Sequence, residues 1–339
     1  MEINVLYQFN EKYAPYAGVS ITSLFENNKH VESIVVHILD DRISPISKAR
    51  LIKTADDYGR KIKFIDTRSL ISTMERLKIP KYRGSYSTNM KLFLPMVMTG
   101  DMDRLLYIDS DTVICGSLEE LFIMDMQGKS VAMSLDSLGK KHKELIGLNK
   151  EDNYYNAGVI LFDMKAWKNN MCTEQIIDHV KMVRAHYMSP DQDLLNVVLK
   201  DDICTIGIQY NYQPVHIVYG NWAYNIFFGQ KGYYKNEEVT EARKAPVILH
   251  FFRFLGEFPW NKESKHPDTE IFDEYLAMSR WNDYDKQPSE QNGLVFKIER
   301  WLYKYMPSFV FLTLFKVNYE IFIKRCERDS RRMLDSAQM

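Results

Sequence analysis

The sequence predicts an α/β fold in which a mostly parallel sheet is flanked by helices. From the N-terminus to about residue 251, apolar strand-like runs alternate with segments of helical periodicity, which is typical of parallel sheets covered on both faces. In addition, the apolar run Arg104–Ile108 leads directly into Asp109-Ser110-Asp111. Open α/β sheets bind ligands just beyond the carboxyl ends of their strands, so this acidic pair stands where a site is expected.

The predicted elements follow one another in a regular order. A helix is expected to begin at Pro45, because Ser44 is a suitable N-cap and proline is favoured in the first turn. Strands are predicted over residues 3–8, 33–39, 61–65, 104–108, 130–135, 158–162 and 245–251. Helices are predicted over residues 13–28, 45–58, 91–98, from 117 onward, 172–187 and 191–199.

A polar stretch at residues 286–289 separates two regions of different composition. We expect residues 1–285 to form the α/β domain and residues 286–339 to form a helical, basic and aromatic extension, split by Pro307 into two helices. From Leu294 to the end, nine Lys and Arg face five Asp and Glu, a net charge of +4. This pattern predicts peripheral contact with a membrane surface through residues 290–339; the alternative is a helix pair packed on the main domain.

The composition of the chain indicates which partners and which cellular location to expect. The chain has 339 residues, 45% of them hydrophobic, and a net charge of −1, which is ordinary for a globular protein and argues against a nucleic-acid partner. Its four scattered cysteines favour reduced thiols, and hence a cytoplasmic location, peripheral to a membrane if the extension binds one. The N-terminal run is interpreted as a first strand and not as a signal peptide. No stretch reaches the roughly 20 apolar residues of a membrane span.

The acidic pair offers a specific chemistry. In an extended segment Asp109 and Asp111 point to the same side, so two negative charges would repel unless a cation lies between them. Carboxylate oxygens suit Mg²⁺ or Mn²⁺, which in turn bind a diphosphate. The alternative is a surface turn with two solvated aspartates.

Five sequence blocks in a fixed order resemble glycosyltransferase family 8. The blocks are residues 5–13 (VLYQFNEKY), 91–95 (KLFLP), 106–111 (LYIDSD), 155–159 (YNAGV) with 191–196 (DQDLLN), and 250–260 (HFFRFLGEFPW). The resemblance implies the GT-A nucleotide-binding fold and a retaining enzyme that transfers a hexose, galactose or glucose, from a UDP-hexose donor. The implied acceptor is a glycan or a lipid-linked molecule of the cell envelope, as in lipopolysaccharide or polysaccharide synthesis by bacteria.

The resemblance also implies roles for individual residues. Asp109, Asp111 and His250 would hold a divalent cation, usually Mn²⁺, with Mg²⁺ as the alternative. The nucleotide would contact Gln8, Asn10, Tyr13, Ser110, Arg253 and Gly256, with Tyr13 either stacked on the uracil or packed on the core. The donor sugar would contact Lys91, Asp136, Asn156, Asp191 and Gln192. Asp191 and Gln192 would face the anomeric carbon as the catalytic pair, and the neutral amide of Gln192 favours attack on the face from which the diphosphate leaves.

The chain departs from the family pattern at three positions. Asn10 replaces a frequent acid, and Lys91 replaces arginine, exchanging a planar fork for a point charge. The last block is two residues longer than expected, and Phe258 stands where a phosphate-binding lysine is typical. We expect Arg253 to supply the missing charge. Because of these departures, a catalytically silent, transferase-like binding protein is an alternative function. A sugar nucleotidyltransferase is a further alternative, although the glycine- and basic-rich loop typical of that class is missing.

Overall fold

The computed structural model describes residues 1–79, 81, 85–96, 98, 102–136, 140–183, 187–214, 222, 233–291 and 293–336. Within these ranges, strands form one large and one small sheet. The strands are β1 (Glu2–Asn10), β2 (Ser33–Asp41), β3 (Lys61–Asp66), β4 (Arg104–Ile108), β5 (Thr112–Ile114), β6 (Val131–Leu135), β7 (Tyr155–Asp163), β8 (Ile203–Thr205) and β9 (Ile248–His250).

The large sheet has seven strands in the order β3-β2-β1-β4-β7-β6-β8. Pairs β1/β2, β2/β3, β1/β4 and β6/β8 are parallel, which confirms the predicted mostly parallel sheet. Strand β7 runs antiparallel to both β4 and β6. The sequence did not indicate this reversal, because a strand buried on both faces is an apolar run in either direction. The start of β7 therefore lies beside the end of β4, where the acidic pair begins.

Helices cover the sheet, as predicted. They are α1 (Ala14–Asn27), α2 (Pro45–Asp57), α3 (Arg68–Arg76), α4 (Glu119–Ile123), α5 (Lys140–Leu145), α6 (Met164–Asn169), α7 (Cys172–Met182) and α8 (Pro190–Val198), followed by Asn236–Lys244, Thr269–Met278, Leu294–Tyr305 and Ser308–Ser336. The predicted cap of α2 is confirmed, because Ser44 Oγ accepts a hydrogen bond from the Ser47 amide at 3.1 Å.

Several predicted bounds were wrong. A helix was predicted over residues 91–98, but the helical segment is Ser87–Met96, and it consists of 3-10 turns with a kink at Phe93 (φ −118°, ψ 24°). Helix α7 ends at Met182, short of residue 187, and α4 begins at Glu119. The predicted strand 245–251 shortens to Ile248–His250, because its partner β5 offers only three residues for pairing.

The small sheet joins distant parts of the chain. Strand β5 pairs antiparallel with β9, with Thr112 opposite His250. The Phe251 amide donates to the Asp111 carbonyl at 2.9 Å. This pairing brings the histidine predicted as a metal ligand to the end of β4.

The C-terminal helices, Leu294–Tyr305 and Ser308–Ser336, are separated at Pro307 as predicted. The segment before them is held on the α/β domain, where Lys286 Nζ donates to the Pro259 carbonyl at 3.0 Å and Ser289 Oγ to the Gly256 carbonyl at 2.7 Å. The helices pack through buried Phe311 and Leu312 against the loop that follows β9. None of the helices in the described part of the chain is both long and apolar enough to cross a membrane.

Candidate active site

Three predicted metal ligands converge at the end of β4. His250 Nε2 lies 3.7 Å from Asp109 Oδ2 and 3.5 Å from Asp111 Oδ1. One ligand atom from each residue lies within 4.8 Å of the others. The histidine is buried, whereas the side chains of Asp109 and Asp111 are 31% and 26% exposed. Within the described ranges, solvent therefore reaches this group mainly through its two carboxylates.

The electrostatics of this group favour a cation. Burial raises the pKa of Asp109, and the facing charge of Asp111 raises it further, against the opposing effect of Lys91. Burial alone would lower the pKa of His250, but the facing carboxylates raise it above its usual value. Two carboxylates and one imidazole are suitable ligands for Mn²⁺ or Mg²⁺, and a bound ion would relieve the repulsion between the acids.

Lys91 is buried next to this group. Its Nζ is 2.8 Å from Asp191 Oδ2, 3.9 Å from Asp109 Oδ1 and 2.9 Å from the Ala157 carbonyl. Although burial lowers the pKa of Lys91, the charges of Asp191 and Asp109 raise it above the usual value. The ammonium group thus links the metal group to the start of α8.

The remaining residues predicted to contact the sugar form a second cluster beside the first. Asp136 Oδ2 accepts hydrogen bonds from Asn156 Nδ2 at 2.9 Å and from Gln192 Nε2 at 3.0 Å. Gln192 Oε1 accepts from the Ala157 amide at 3.0 Å. The orientation of the Gln192 amide is therefore fixed by donors and acceptors at both ends. We call Asp136, Asn156 and Gln192 the sugar-end group.

Two polar residues of this region were missed. Tyr154 donates to Asp193 Oδ1 at 2.6 Å, and its hydroxyl oxygen accepts from Gln192 Nε2 at 3.1 Å. Asn211 lies between His250 and Asn156, at 2.9 Å and 2.8 Å. Asp193, which accepts from Tyr154, belongs to the fourth sequence block. Asn211 stands outside the blocks, in the sequence Tyr-Asn-Tyr, which carries no signal of a nearby ligand.

Four residues predicted for the nucleotide lie in β1, just after it, or between the two aspartates. Gln8 is buried within β1, and its Oε1 has no hydrogen-bond partner among the described residues. Asn10 is exposed at the end of β1, and Ser110 is buried between the two aspartates. Tyr13 packs its ring edge-on against Tyr16, with ring centroids 5.5 Å apart.

Of these four residues, Tyr13 lines a cavity of about 370 Å³, together with Arg253, Gly256 and Phe258 among others. The Arg253 guanidinium lies over the Phe258 ring, 5.1 Å from its centroid. Phe258 stacks in turn on Trp260, with centroids 4.5 Å apart and ring planes 9° apart. The aromatic residue that replaces the typical lysine therefore supports an exposed arginine at the cavity.

Gly158 makes room for the histidine. A Cβ atom at this position would lie 2.1 Å from His250 Cε1, so Gly158→Ala must displace the imidazole. We expect Mn²⁺ affinity, measured by calorimetry, to fall about 10–100-fold, the usual cost of disturbing a metal ligand. Gly116→Ala is the matched control, because its Cβ would find its nearest atoms at 3.6 Å. Equal Mn²⁺ affinity of the two variants would contradict the assignment of His250 as a ligand.

Comparisons with known proteins match the chain to a family. Residues 4–264 match the family model described as glycosyl transferase family 8. General stress protein A of Bacillus subtilis is 26% identical over 280 residues, a match that covers 80% of this chain and 92% of the relative. Lipopolysaccharide 1,2-glucosyltransferase of Escherichia coli is 25% identical over 83% of this chain and 79% of the relative. Lipopolysaccharide 1,3-galactosyltransferase of Salmonella typhimurium is 22% identical over 83% and 80%.

Solved structures share the fold. The galactosyltransferase LgtC, solved in complex with donor and acceptor sugar analogues, superposes with a TM-score of 0.67 at 22% identity, over 82% of this chain and 96% of that chain. The bifunctional glycosyltransferase WbbM gives a TM-score of 0.71 at 22% identity, over 84% of this chain and 52% of that chain. The predicted GT-A fold is confirmed.

Proposed function

Because the chain belongs to glycosyltransferase family 8, we propose that it transfers a hexose, glucose or galactose, from a UDP-sugar with retention of configuration and with the help of a divalent cation. The observation that carries this proposal is the convergence of Asp109, Asp111 and His250 beside the Lys91–Asp191 pair. The names of two relatives, which act on lipopolysaccharide, support a glycan or lipid-linked acceptor of the cell envelope.

The metal ligands proposed are Asp109, Asp111 and His250, with Mn²⁺ or Mg²⁺ as the ion. Their donor set fits such an ion, and the partly exposed carboxylates leave one side open to a diphosphate. When bound, the ion supplies positive charge that stabilises the departing nucleoside diphosphate.

The protein groups around the proposed sugar position favour same-face attack. Asp191 is buried and paired with the Lys91 ammonium, which weakens it as a nucleophile. Gln192 is a neutral amide held by the Ala157 amide and Asp136, so it suits stabilisation of an oxocarbenium-like centre. We therefore propose that the diphosphate of the donor accepts the proton of the acceptor. A glycosyl adduct on Asp191 or Gln192, detected by mass spectrometry, would overturn this route.

At the nucleotide end we propose contacts from Gln8, Asn10, Tyr13, Ser110, Arg253 and Gly256. Gln8 Oε1 has no hydrogen-bond partner within the ranges that the structure describes, which leaves it free to accept from a ligand. Arg253 is placed at the cavity that Tyr13 also lines, so one ligand could contact both.

Removing the Arg253 charge should weaken UDP binding. A charged hydrogen bond contributes about 1.5–3 kcal/mol, so Arg253→Ala should raise the dissociation constant of UDP about 10–100-fold, measured by calorimetry with Mn²⁺. Lys262→Ala is the control, since Lys262 is an exposed cation just beyond the same loop. An unchanged UDP affinity in Arg253→Ala would show that another group replaces the typical lysine.

The proposed activity is tested with a panel of sugar nucleotides, with Mn²⁺ or with EDTA, by following release of nucleoside diphosphate. Slow hydrolysis of one UDP-hexose that EDTA abolishes is the expected result. Metal-dependent UDP binding without turnover, even after addition of extracted envelope glycans, would instead favour a silent binding protein.

For the C-terminal helices we propose contact with an anionic membrane surface. Leu294, Val295, Ile298 and Trp301 are 73%, 73%, 49% and 58% exposed on Leu294–Tyr305, and residues 294–336 hold nine Lys and Arg against five Asp and Glu. An apolar groove of about 480 Å³ lies between them. This arrangement supports an amphipathic surface that binds lipid through both charge and apolar contact.

Vesicle binding tests this proposal on the full chain. Ile298→Glu with Trp301→Glu should reduce co-sedimentation with phosphatidylglycerol vesicles several-fold, because two acids would enter the apolar face. Met182→Glu is the control, as Met182 is 77% exposed on another helix. Binding that stays the same in both variants, or that is absent from the unmodified chain, would contradict the proposal.

A further inference from the structure

Asn211 connects the metal group to the sugar-end group. It ends the 3-10 turn Ile208–Asn211 and is 1% exposed. Its Oδ1 lies 2.9 Å from His250 Nδ1, and its Nδ2 lies 2.8 Å from Asn156 Oδ1. Within the described part of the chain, this side chain bridges the two clusters directly.

The orientation of the bridge follows from its fixed ends. Asn156 Nδ2 faces the Asp136 carboxylate at 2.9 Å, and Asn156 Oδ1 faces the Gly158 amide at 2.9 Å. A carboxylate only accepts and a backbone amide only donates, so the Asn156 amide can stand in one orientation alone. Asn211 must then donate through Nδ2 to Asn156 and offer Oδ1 to His250.

The tautomer of His250 follows in turn. Because Asn211 Oδ1 accepts a hydrogen bond, the proton of the neutral imidazole must be on Nδ1. The lone pair of Nε2 then faces Asp109 and Asp111, as a metal ligand requires. A histidine ligand held in this way by a second residue is also fixed in its ring orientation.

We propose that Asn211 is a positioning residue that holds His250 in its metal-binding tautomer and couples it to Asn156 and the sugar-end group. The inference rests on the proposed function, since it needs a divalent cation at His250. It adds that this cation site and the donor-sugar contacts share one hydrogen-bonded side chain, so a change at either end alters the other.

The test compares four proteins by electron paramagnetic resonance of free Mn²⁺ in the presence of UDP. They are the unmodified chain, Asn211→Leu, His250→Ala and the double variant. We expect Asn211→Leu to weaken Mn²⁺ binding about 10–100-fold, and to have no further effect when His250 is already alanine. Asn28→Leu is the control for deleting a buried asparagine, because Asn28 bonds to Leu24, Gly116 and Leu118 instead.

A second variant covers the case in which leucine prevents folding. In Asn211→Asp the carboxylate can accept from His250 Nδ1 but cannot donate to Asn156. We expect Mn²⁺ affinity within about threefold of the unmodified chain, with the rate of UDP-hexose hydrolysis lowered about 10-fold by the broken link to Asn156.

The outcomes separate this inference from the proposed function. Mn²⁺ affinity unchanged in Asn211→Leu, or lowered equally with and without His250, would overturn the positioning role while leaving the metal site in place. Asn211→Asp binding Mn²⁺ as weakly as His250→Ala would overturn it as well. An unmodified chain that binds no Mn²⁺ with UDP would overturn the proposed function and this inference together.

Discussion

Asp111→Asn is expected to lower the transferase rate by about 10³-fold and to abolish the dependence of UDP binding on Mn²⁺. The substitution removes one negative ligand from the group formed with Asp109 and His250, whose atoms lie within 4.8 Å of one another. Without that charge the cation binds less tightly, and the departing diphosphate loses the positive charge that stabilises it. The measurement is UDP-hexose hydrolysis across a range of Mn²⁺ concentrations.

The chain offers a matched control near the other end of β4. Asp103 is exposed just before β4 begins, so Asp103→Asn makes the same chemical change away from the site and should leave the rate within about twofold. If high Mn²⁺ restores Asp111→Asn to the unmodified rate, the loss lies in metal affinity alone. A rate unaffected by Asp111→Asn at any Mn²⁺ concentration would remove Asp111 from the metal group.

Local sequence signals predicted the strand that leads to the site and the two acids that directly follow this strand. The run Arg104–Ile108 and its acids indicated a strand end, and that strand, β4, lies in the sheet as expected. The approach of His250 depends instead on the pairing of β5 with β9, a contact between distant segments that periodicity does not encode. Only the resemblance to a family linked the histidine to the acids before the structure did.

Burial was the property that the sequence predicted least well. Lysine is rarely buried, and nothing in the sequence indicated that the side chain of Lys91 would be 2% exposed between two acids. The two additional residues in the loop after His250 are explained by packing against the C-terminal helices. Phe254 contacts Tyr303 with ring centroids 5.4 Å apart, and Glu257 pairs with Arg300 at 3.1 Å, so this loop supports the C-terminal helices. A departure from the family pattern therefore lies where the helical extension packs.

Lys91→Met is expected to destabilise the protein by about 3–5 kcal/mol, the cost of removing one partner from a buried ion pair. The ammonium group neutralises Asp191 at 2.8 Å and lies 3.9 Å from Asp109. Methionine fills much of the same volume but leaves the buried Asp191 carboxylate without its cation. Urea unfolding, followed by circular dichroism, measures the loss, and Lys165→Met on the exposed face of α6 should change the free energy of unfolding by less than about 0.5 kcal/mol.

A second substitution distinguishes the pair from simple loss of packing. Asp191→Asn removes the stranded charge, so the double variant Lys91→Met with Asp191→Asn should be more stable than Lys91→Met alone by about 1–3 kcal/mol. Transfer should stay low in the double variant, because Asp191 is also proposed to face the sugar. If instead the two destabilisations simply add, the contact between Lys91 and Asp191 contributes little to stability. The role of the ammonium group would then be the proposed contact with the donor sugar.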